Sequence, residues 1–244
     1  TLLNTACGGI MRGGFLDAFE RQMAGYKVAE TRNMDGDVER PPNYEAVEIS
    51  STKRSTFLTA GFRFIVGPDG WKFAYRTSTY YGNQYFVLYS EDSAKAQDLV
   101  DRTWTDLEAN NPLKGEAFAL AGGFLKRNGL DWSEIFLEDK NEKGLKRIVR
   151  IVNDKGASAA NRGVVLQGPP GTGKTLGARV VMNQAKATYL WISAKDFYEL
   201  GSYGCFVNAF DLARKLAPSI VLFEDVDNYI TDYTVDLLKT EMDG

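Results

Sequence analysis

The sequence predicts an α/β fold in its second half, a parallel sheet flanked by helices, preceded by a smaller α+β region. Short apolar runs at 163–166, 188–192 and 220–223 alternate with helical segments. That alternation is typical of a parallel sheet buried on both faces. A glycine-rich segment at 168–175 joins the first of these runs to the next helix. Before residue 129 the strands instead alternate polar and apolar residues, which indicates an antiparallel sheet.

Length, composition and charge exclude several function classes. The 244 residues suffice for two modest domains, and 44% apolar with 25% charged residues is typical of packed proteins. The net charge of −3 gives no electrostatic reason to expect a nucleic-acid partner. Because the sequence contains no histidine, a Ser-His-Asp triad and His-ligated metal sites are excluded within it.

Membrane and disulfide signals are also missing from the sequence. No apolar run approaches the length of about 18 residues that spans a bilayer, and no signal peptide is visible. Cys7 and Cys205 stand in unrelated contexts, which fits reduced thiols better than a disulfide. We therefore expect a cytoplasmic location and no membrane segment.

Residues 1–43 are glycine-rich and polar and are expected to form a loosely packed N-terminal arm with one helix over 15–26. Residues 44–128 predict a small α+β domain. Its clearest signal is a β-hairpin, in which the alternating strands 62–66 and 71–75 flank the turn Gly67–Gly70. The remaining predicted elements are a strand at 85–89, a helix at 93–108 and a strand at 116–121.

The aromatic residues of this region leave two interpretations open. They are Trp71, Phe73, Tyr75, Tyr80, Tyr81, Tyr85 and Phe86. They can pair across strands in a core, or they can form a platform on which single-stranded nucleic acid stacks. Few basic residues accompany them, so the core interpretation is favoured.

Residues 129–244 predict the α/β domain, and their central feature is the segment Gly168–Thr175, GPPGTGKT. It matches the phosphate-binding pattern G-x-x-x-x-G-K-[ST] between a strand and a helix. Gly171 and Gly173 allow backbone N–H groups to face phosphate oxygens, and the helix N-terminus adds partial positive charge. Lys174 is expected to reach the β- and γ-phosphates, and Thr175 to ligate Mg²⁺. The expected ATP-binding residues are Gly168, Pro169, Pro170, Gly171, Thr172, Gly173, Lys174, Thr175 and Leu176.

An acidic pair, Glu224 and Asp225, follows the apolar run 220–223. Carboxylates there lie at the carboxyl end of a strand, where open α/β sheets bind ligands. The pair comes about fifty residues after a phosphate loop, which indicates an ATPase site. One carboxylate is expected to hold the Mg²⁺ shell and the next to orient the attacking water.

These segments resemble the AAA family of ring-forming ATPases over about residues 130–244. The resemblance rests on residues 162–167, the loop itself, residues 217–220 before the acids and residues 237–244 after them. It implies ATP and Mg²⁺ as cofactors, a hexameric or similar ring of this chain, and a protein substrate, with residues 1–128 as a substrate or adaptor domain. Asp131 and Trp132 resemble the segment by which the family enters its ATPase domain near the adenine.

The acids depart from the usual AAA order, which is Asp then Glu. The order Glu224-Asp225 resembles the clade that contains the mitochondrial AAA chaperone for respiratory complex III assembly and its plant and bacterial relatives. This resemblance assigns Glu224 to the metal shell with Thr175, and Asp225 to water activation beside the metal. The mitochondrial members carry a membrane-spanning N-terminal segment that this sequence does not show, so their location and substrate are not transferred.

Two further expectations follow from the family. Residues 196–204 correspond to the loop that pulls substrate, with Tyr198 and Tyr203 as candidate pore aromatics, or with Phe197 and Tyr198 packed under the loop. The family's sensor, arginine finger and lid follow the last segment matched here. We therefore expect a fragment that binds ATP weakly and hydrolyses it poorly alone.

Two other function classes stay open at this point. In a nucleotide-gated interaction module, Asp225 would not catalyse, and ATP would act only as a conformational ligand. In a nucleic-acid motor or loader, the ATPase would act on DNA or RNA, and the charge balance argues against that class.

Overall fold

The computed structural model describes residues 2–7, 10–35, 37–80, 83–155 and 162–243. It divides the chain into two compact units, Thr1–Pro112 and Leu113–Gly244. The sequence pattern predicts this boundary at 128/129 instead. The difference arises because the strand Ala117–Ala119 pairs in parallel with Thr188–Ile192 and so belongs to the second unit. Among the described residues, no helix has the length and apolar character needed to cross a membrane.

The first unit is an antiparallel sheet with two helices. The helices are α1 (Met11–Gln22) and α2 (Ser93–Ala109). The strands are β1 (Leu2–Cys7), β2 (Lys27–Asp35), β3 (Val38–Arg40), β4 (Asn43–Glu48), β5 (Arg54–Val66), β6 (Lys72–Tyr80) and β7 (Asn83–Ser90). They run in the order β1-β7-β6-β5-β2-β3, with β4 paired to β5.

The predicted hairpin is present as β5 and β6, which pair from Val66↔Lys72 to Gly61↔Thr77. The aromatic residues of these strands form the core: Phe73, Tyr75 and Phe86 are buried. The core interpretation therefore holds for them, while Tyr81 lies outside the described residues.

The expectation of a loosely packed arm over residues 1–43 is wrong for α1. Phe15 and Phe19 of that helix are each only 2% exposed. Their rings lie 5.9 and 4.5 Å from the ring of Phe86. The glycines and polar residues around Phe15 and Phe19 make this segment look unstructured in the sequence. Two aromatic residues four positions apart lie on one helix face, and burying that face stabilises the helix.

The second unit confirms the predicted fold class, with a parallel sheet flanked by helices. Its strands β8 (Ala117–Ala119), β9 (Thr188–Ile192) and β10 (Ser219–Phe223) run in the order β10-β9-β8. The central strand β9 is buried along its whole length. The helices are α3 (Asp139–Lys155), α4 (Lys174–Gln184), α5 (Ala194–Lys215) and α6 (Asp232–Asp243).

Two element predictions in this unit are wrong. Residues 163–166 form no strand, and Val164 and Val165 are 57% and 87% exposed. A strand needs a hydrogen-bonded partner, and the strands among the described residues give this segment none. The segment 196–204 is helical rather than a loop, because α5 already begins at Ala194 and is interrupted only at Gly201 (φ 69°, ψ 159°).

Candidate nucleotide site

The glycine-rich loop ends where α4 begins. Gly171 and Gly173 have φ of +82° and +83°, in the left-handed region that strains any residue with a Cβ. Gly173 is the N-cap of α4, which starts at Lys174. The first N–H groups of a helix have no acceptor within it. The loop therefore ends on backbone donors and a positive helix terminus, both of which favour a bound anion.

Lys174 is anchored over the loop backbone. Its Nζ donates to the carbonyl oxygens of Gly168 at 2.7 Å and Pro169 at 2.9 Å. The Thr172 hydroxyl also donates to the Pro169 carbonyl, at 2.9 Å. The ammonium group thus lies at the loop rather than in open solvent. Pro170 and Leu176 are exposed.

The structure brings Thr175 and Glu224 together although they are 49 residues apart. The Thr175 hydroxyl donates to Glu224 Oε1 at 3.2 Å. The Glu224 amide donates to the Ile192 carbonyl at 2.9 Å and so extends the ladder between β9 and β10. The strand end therefore delivers a carboxylate to the first turn of α4.

This pair of groups suits Mg²⁺. Both supply oxygen, and Mg²⁺ is usually held by one or two carboxylates together with phosphate oxygens and water. The donor set therefore fits a metal shared between the protein and a bound triphosphate. Thr175 and Glu224 are the residues that would hold it.

Asp225 ends the strand β10 segment with a turn of the backbone. It is the one non-glycine among the described residues with a left-handed backbone, at φ 47° and ψ 41°. Asp adopts that conformation more readily than most residues. Asp225 is exposed and precedes the 3-10 helix Val226–Asn228. No hydrogen bond of its side chain to the loop is found within the described part of the chain.

Trp191 is a site residue that the sequence pattern does not predict. Its indole Nε1 donates to Glu224 Oε2 at 3.0 Å. Trp191 pairs with Leu222 across the β9–β10 ladder. Because side chains alternate along a strand, Glu224 lies on the same face as Leu222. Only that register, set by the sheet, could have pointed to Trp191.

Asp131 contacts the end of α4 that is farthest from the loop. Asp131 Oδ2 accepts from Gln184 Nε2, the last residue of α4, at 2.9 Å. Because α4 has 11 residues with a rise of about 1.5 Å each, Asp131 lies about 15 Å along the helix from the loop. Trp132 packs at the edge of the core, with Lys146 Nζ 5.6 Å from its ring centre.

Phe136 and Leu137 are the neighbouring residues that approach the loop. A Cβ built on Gly173 would lie 3.0 Å from Leu137 Cδ2 and 3.6 Å from the Phe136 carbonyl oxygen. The Phe136 side chain is 98% exposed. The segment that follows Asp131 and Trp132 therefore borders the loop through Phe136 and Leu137, which the sequence pattern does not single out.

Arg127, which precedes Asp131 in the chain, binds to the C-terminal end of α4. Its guanidinium donates to the carbonyls of Ala185 at 3.1 Å, Ala187 at 2.8 Å and Gly115 at 3.1 Å, and also to that of Met182. The contacts to Met182 and Ala185 satisfy carbonyls that the end of α4 leaves without partners. Burial lowers the pKa of Arg127. The sequence offers no local signal for this role.

The candidate pore residues divide between surface and core. Tyr198 is 91% exposed and Tyr203 is 54% exposed. Phe197 is only 4% exposed, and its ring stacks on that of Tyr229 at 4.0 Å. Phe197 is thus a packing residue, while Tyr198 is free to contact another molecule.

Residues 164–244 match the model of the family described as "ATPase family associated with various cellular activities (AAA)". The loop, Glu224 and Asp225 lie inside that match, whereas the first unit and residues 131–137 lie outside it.

Curated relatives extend the comparison. The ATP-dependent zinc metalloprotease FtsH of Syntrophotalea carbinolica is 29% identical over 60% of this chain and 27% of the relative. FtsH of Oenococcus oeni is 31% identical over 49% of this chain and 20% of the relative. Spastin of Drosophila virilis is 34% identical over 42% of this chain and 14% of the relative. The chain thus matches about a quarter or less of the length of these proteins.

Proposed function

We propose that this chain binds and hydrolyses ATP as part of a ring that remodels or translocates protein substrates, because residues 164–244 match the AAA family model. AAA domains use ATP and Mg²⁺. The observation that supports the proposal best is the contact of the Thr175 hydroxyl with Glu224 Oε1 at 3.2 Å. It joins the phosphate loop to the acidic strand end, as a site shared by metal and triphosphate requires.

Each side chain has a proposed role. The loop backbone and the N-terminus of α4 hold phosphate oxygens. Lys174 exchanges its two carbonyl acceptors for the β- and γ-phosphates. Thr175 and Glu224 hold Mg²⁺, which when bound neutralises charge on the phosphates. Asp225 orients the attacking water and accepts its proton.

The names of the relatives bear on the proposal. The FtsH proteins are named ATP-dependent zinc metalloproteases, and the 244 residues contain no histidine, so a His-ligated zinc site is not part of the matched segment. We therefore propose that the shared function is ATP-driven work on protein. The Glu224-Asp225 order supports a place in the clade of the complex III assembly chaperone. The exposed Tyr198 is the proposed substrate contact, and residues 1–128 are the proposed substrate or adaptor region.

The test separates binding from hydrolysis. Binding of a fluorescent ATP analogue to the purified chain is measured with Mg²⁺ and with EDTA. Hydrolysis is followed in single-turnover experiments at high protein concentration, where slow chemistry is still visible. We expect Mg²⁺-dependent binding, and we expect Asp225→Asn to retain that binding while slowing hydrolysis at least tenfold.

Three results would redirect the proposal. If Asp225→Asn hydrolyses ATP as fast as the unmodified chain, Asp225 is not catalytic; if neither chain hydrolyses its bound ATP, the nucleotide acts as a conformational ligand of an interaction module. If the chain shows no Mg²⁺-dependent nucleotide binding, the ATPase proposal itself fails.

A further inference from the structure

We propose that Trp191 is a positioning residue that holds the Glu224 carboxylate in the orientation needed for Mg²⁺. The inference rests on the proposed function, because it assigns Glu224 to the metal. Metal affinity would then depend on Trp191, a residue outside the phosphate loop and the acidic pair.

The two carboxylate oxygens of Glu224 have different donors: the Thr175 hydroxyl lies 3.2 Å from Oε1, and the Trp191 indole Nε1 lies 3.0 Å from Oε2. Rotation of the carboxylate about its last bond would break at least one of these contacts. A carboxylate oxygen can accept more than one hydrogen bond, so Oε1 and Oε2 both keep capacity for a further contact. The two donors together fix the plane of the group without using up its oxygens.

The Trp191 side chain, which is the donor to Glu224 Oε2, is held in place by its surroundings. Trp191 is 8% exposed and lies on the central strand β9 between β8 and β10. Its ring centre is 6.2 Å from that of Tyr189, and the Arg179 guanidinium lies 5.7 Å from the ring centre. The indole is therefore held by packing on the same strand and by a residue of α4. Tryptophan has a single N–H donor, and here that donor is committed to Glu224.

Groups that hydrogen-bond to a metal-binding side chain set its orientation, and removing them typically costs about 10- to 100-fold in metal affinity or activity. Trp191 is such a group, because it donates a hydrogen bond to Glu224. Its removal should therefore weaken the binding of both metal and nucleotide, although the indole need not contact either.

The experiment titrates Mg²⁺ into the full 244-residue chain in the presence of a fluorescent ATP analogue, and repeats nucleotide binding in EDTA. Trp191→Phe removes the N–H but keeps an aromatic ring. In this variant, we expect the Mg²⁺ concentration that gives half of the maximal increase in nucleotide affinity to be about tenfold higher than in the unmodified chain. Nucleotide binding in EDTA should stay within twofold of the unmodified chain, because without metal Glu224 has no role in binding. A loss of general structure would weaken both measurements.

Tyr189→Phe is the matched control. Tyr189 lies on the same strand and face, and its hydroxyl donates to the Ala178 carbonyl at 3.1 Å in a buried position. The variant deletes one buried hydrogen bond without touching Glu224, so the Mg²⁺ requirement should not change. If Trp191→Phe fails to fold, β-(3-benzothienyl)alanine at position 191 removes the N–H with almost no change of shape.

The outcomes are distinct. If Trp191→Phe or the benzothienyl variant needs no more Mg²⁺ than the unmodified chain, or if Tyr189→Phe shows the same shift, the inference is overturned and the proposed function stands. If the unmodified chain itself shows no Mg²⁺-dependent nucleotide binding, the proposed function falls first and the inference with it.

Discussion

In the nucleotide site, individual side chains make hydrogen bonds that no neighbouring side chain is placed to make. Lys174 is the clearest case, because its ammonium group is bound by two loop carbonyls. A bound triphosphate would give that cation stronger acceptors than neutral carbonyls. Glu224 is held from two sides by donors that come from different elements. The chemistry of the site therefore depends on a few side chains that are already in place.

The first prediction concerns Lys174. Lys174→Ala should weaken ATP binding by about 10- to 100-fold, since a hydrogen bond to a charged group contributes about 1.5–3 kcal/mol. Isothermal titration or a fluorescent nucleotide measures the change. Lys215→Ala is the control, because Lys215 is an exposed lysine whose partner is Asp211 in the same helix. Equal affinity of Lys174→Ala and the unmodified chain would contradict the assignment of the loop.

Individual helices depend on glycine in opposite ways. In α1, a Cβ on Gly13 would lie 1.9 Å from the Glu48 carbonyl oxygen. The absence of a side chain there lets the helix approach the strand β4. In α3, a Cβ on Gly144 would meet nothing within 4 Å, and Gly144 only lowers the stability of the helix.

The second prediction uses this pair as a matched test. Gly13→Ala should lower the free energy of unfolding of the first unit by about 2–3 kcal/mol, because backbone must shift to admit the methyl group. Gly144→Ala should raise that of the second unit by about 0.5–1 kcal/mol. Calorimetry or urea unfolding of each variant measures both changes. A stable Gly13→Ala variant would show that α1 does not pack on β4 as described.

At the scale of the whole molecule, each unit buries groups that resist ionisation. In the second unit, burial raises the pKa of Cys205 to about 12 from an ordinary value of 9.0. Burial also raises the pKa of Tyr189 in that unit, and that of Tyr75 in the first, above the ordinary value of 10.0. All three groups remain neutral in the folded state at pH values where the unfolded chain would lose the proton.

The third prediction is a loss of stability at alkaline pH. Above each ordinary pKa the unfolded state binds fewer protons than the folded state, so the free energy of unfolding falls with rising pH. The slope is about 1.4 kcal/mol per pH unit for each such group. The second unit should begin to lose stability near pH 9 and the first near pH 10. Calorimetry at pH 8, 9 and 10 measures the order.

Cys205→Ala provides the control for this order. Without the thiol, the loss of stability in the second unit should begin about one pH unit later, together with that of the first. An unchanged onset would mean that the Cys205 thiol is not the group that titrates first.

Much of the site could be predicted from the sequence because its signals are local. The glycines, Lys174 and Thr175 occupy a fixed spacing, and the acids follow directly on an apolar run. The strand β9 was predicted with its observed bounds, since five consecutive apolar or β-favouring residues suit a buried central strand. Local spacing and polarity thus determined the loop, the acidic pair and the α/β class of the second half.

The tertiary structure decided what depends on partners distant in the chain. The run 163–166 is apolar, yet it forms no strand because the described strands leave it unpaired. Ala117–Ala119 belongs to the second unit because its ladder partner is β9. Arg127 reaches carbonyls 12 to 60 residues away, and Trp191 meets Glu224 through the register of two strands. Sequence patterns report which face of an element is apolar, whereas hydrogen bonds between elements exist only once packing has set their distance and register.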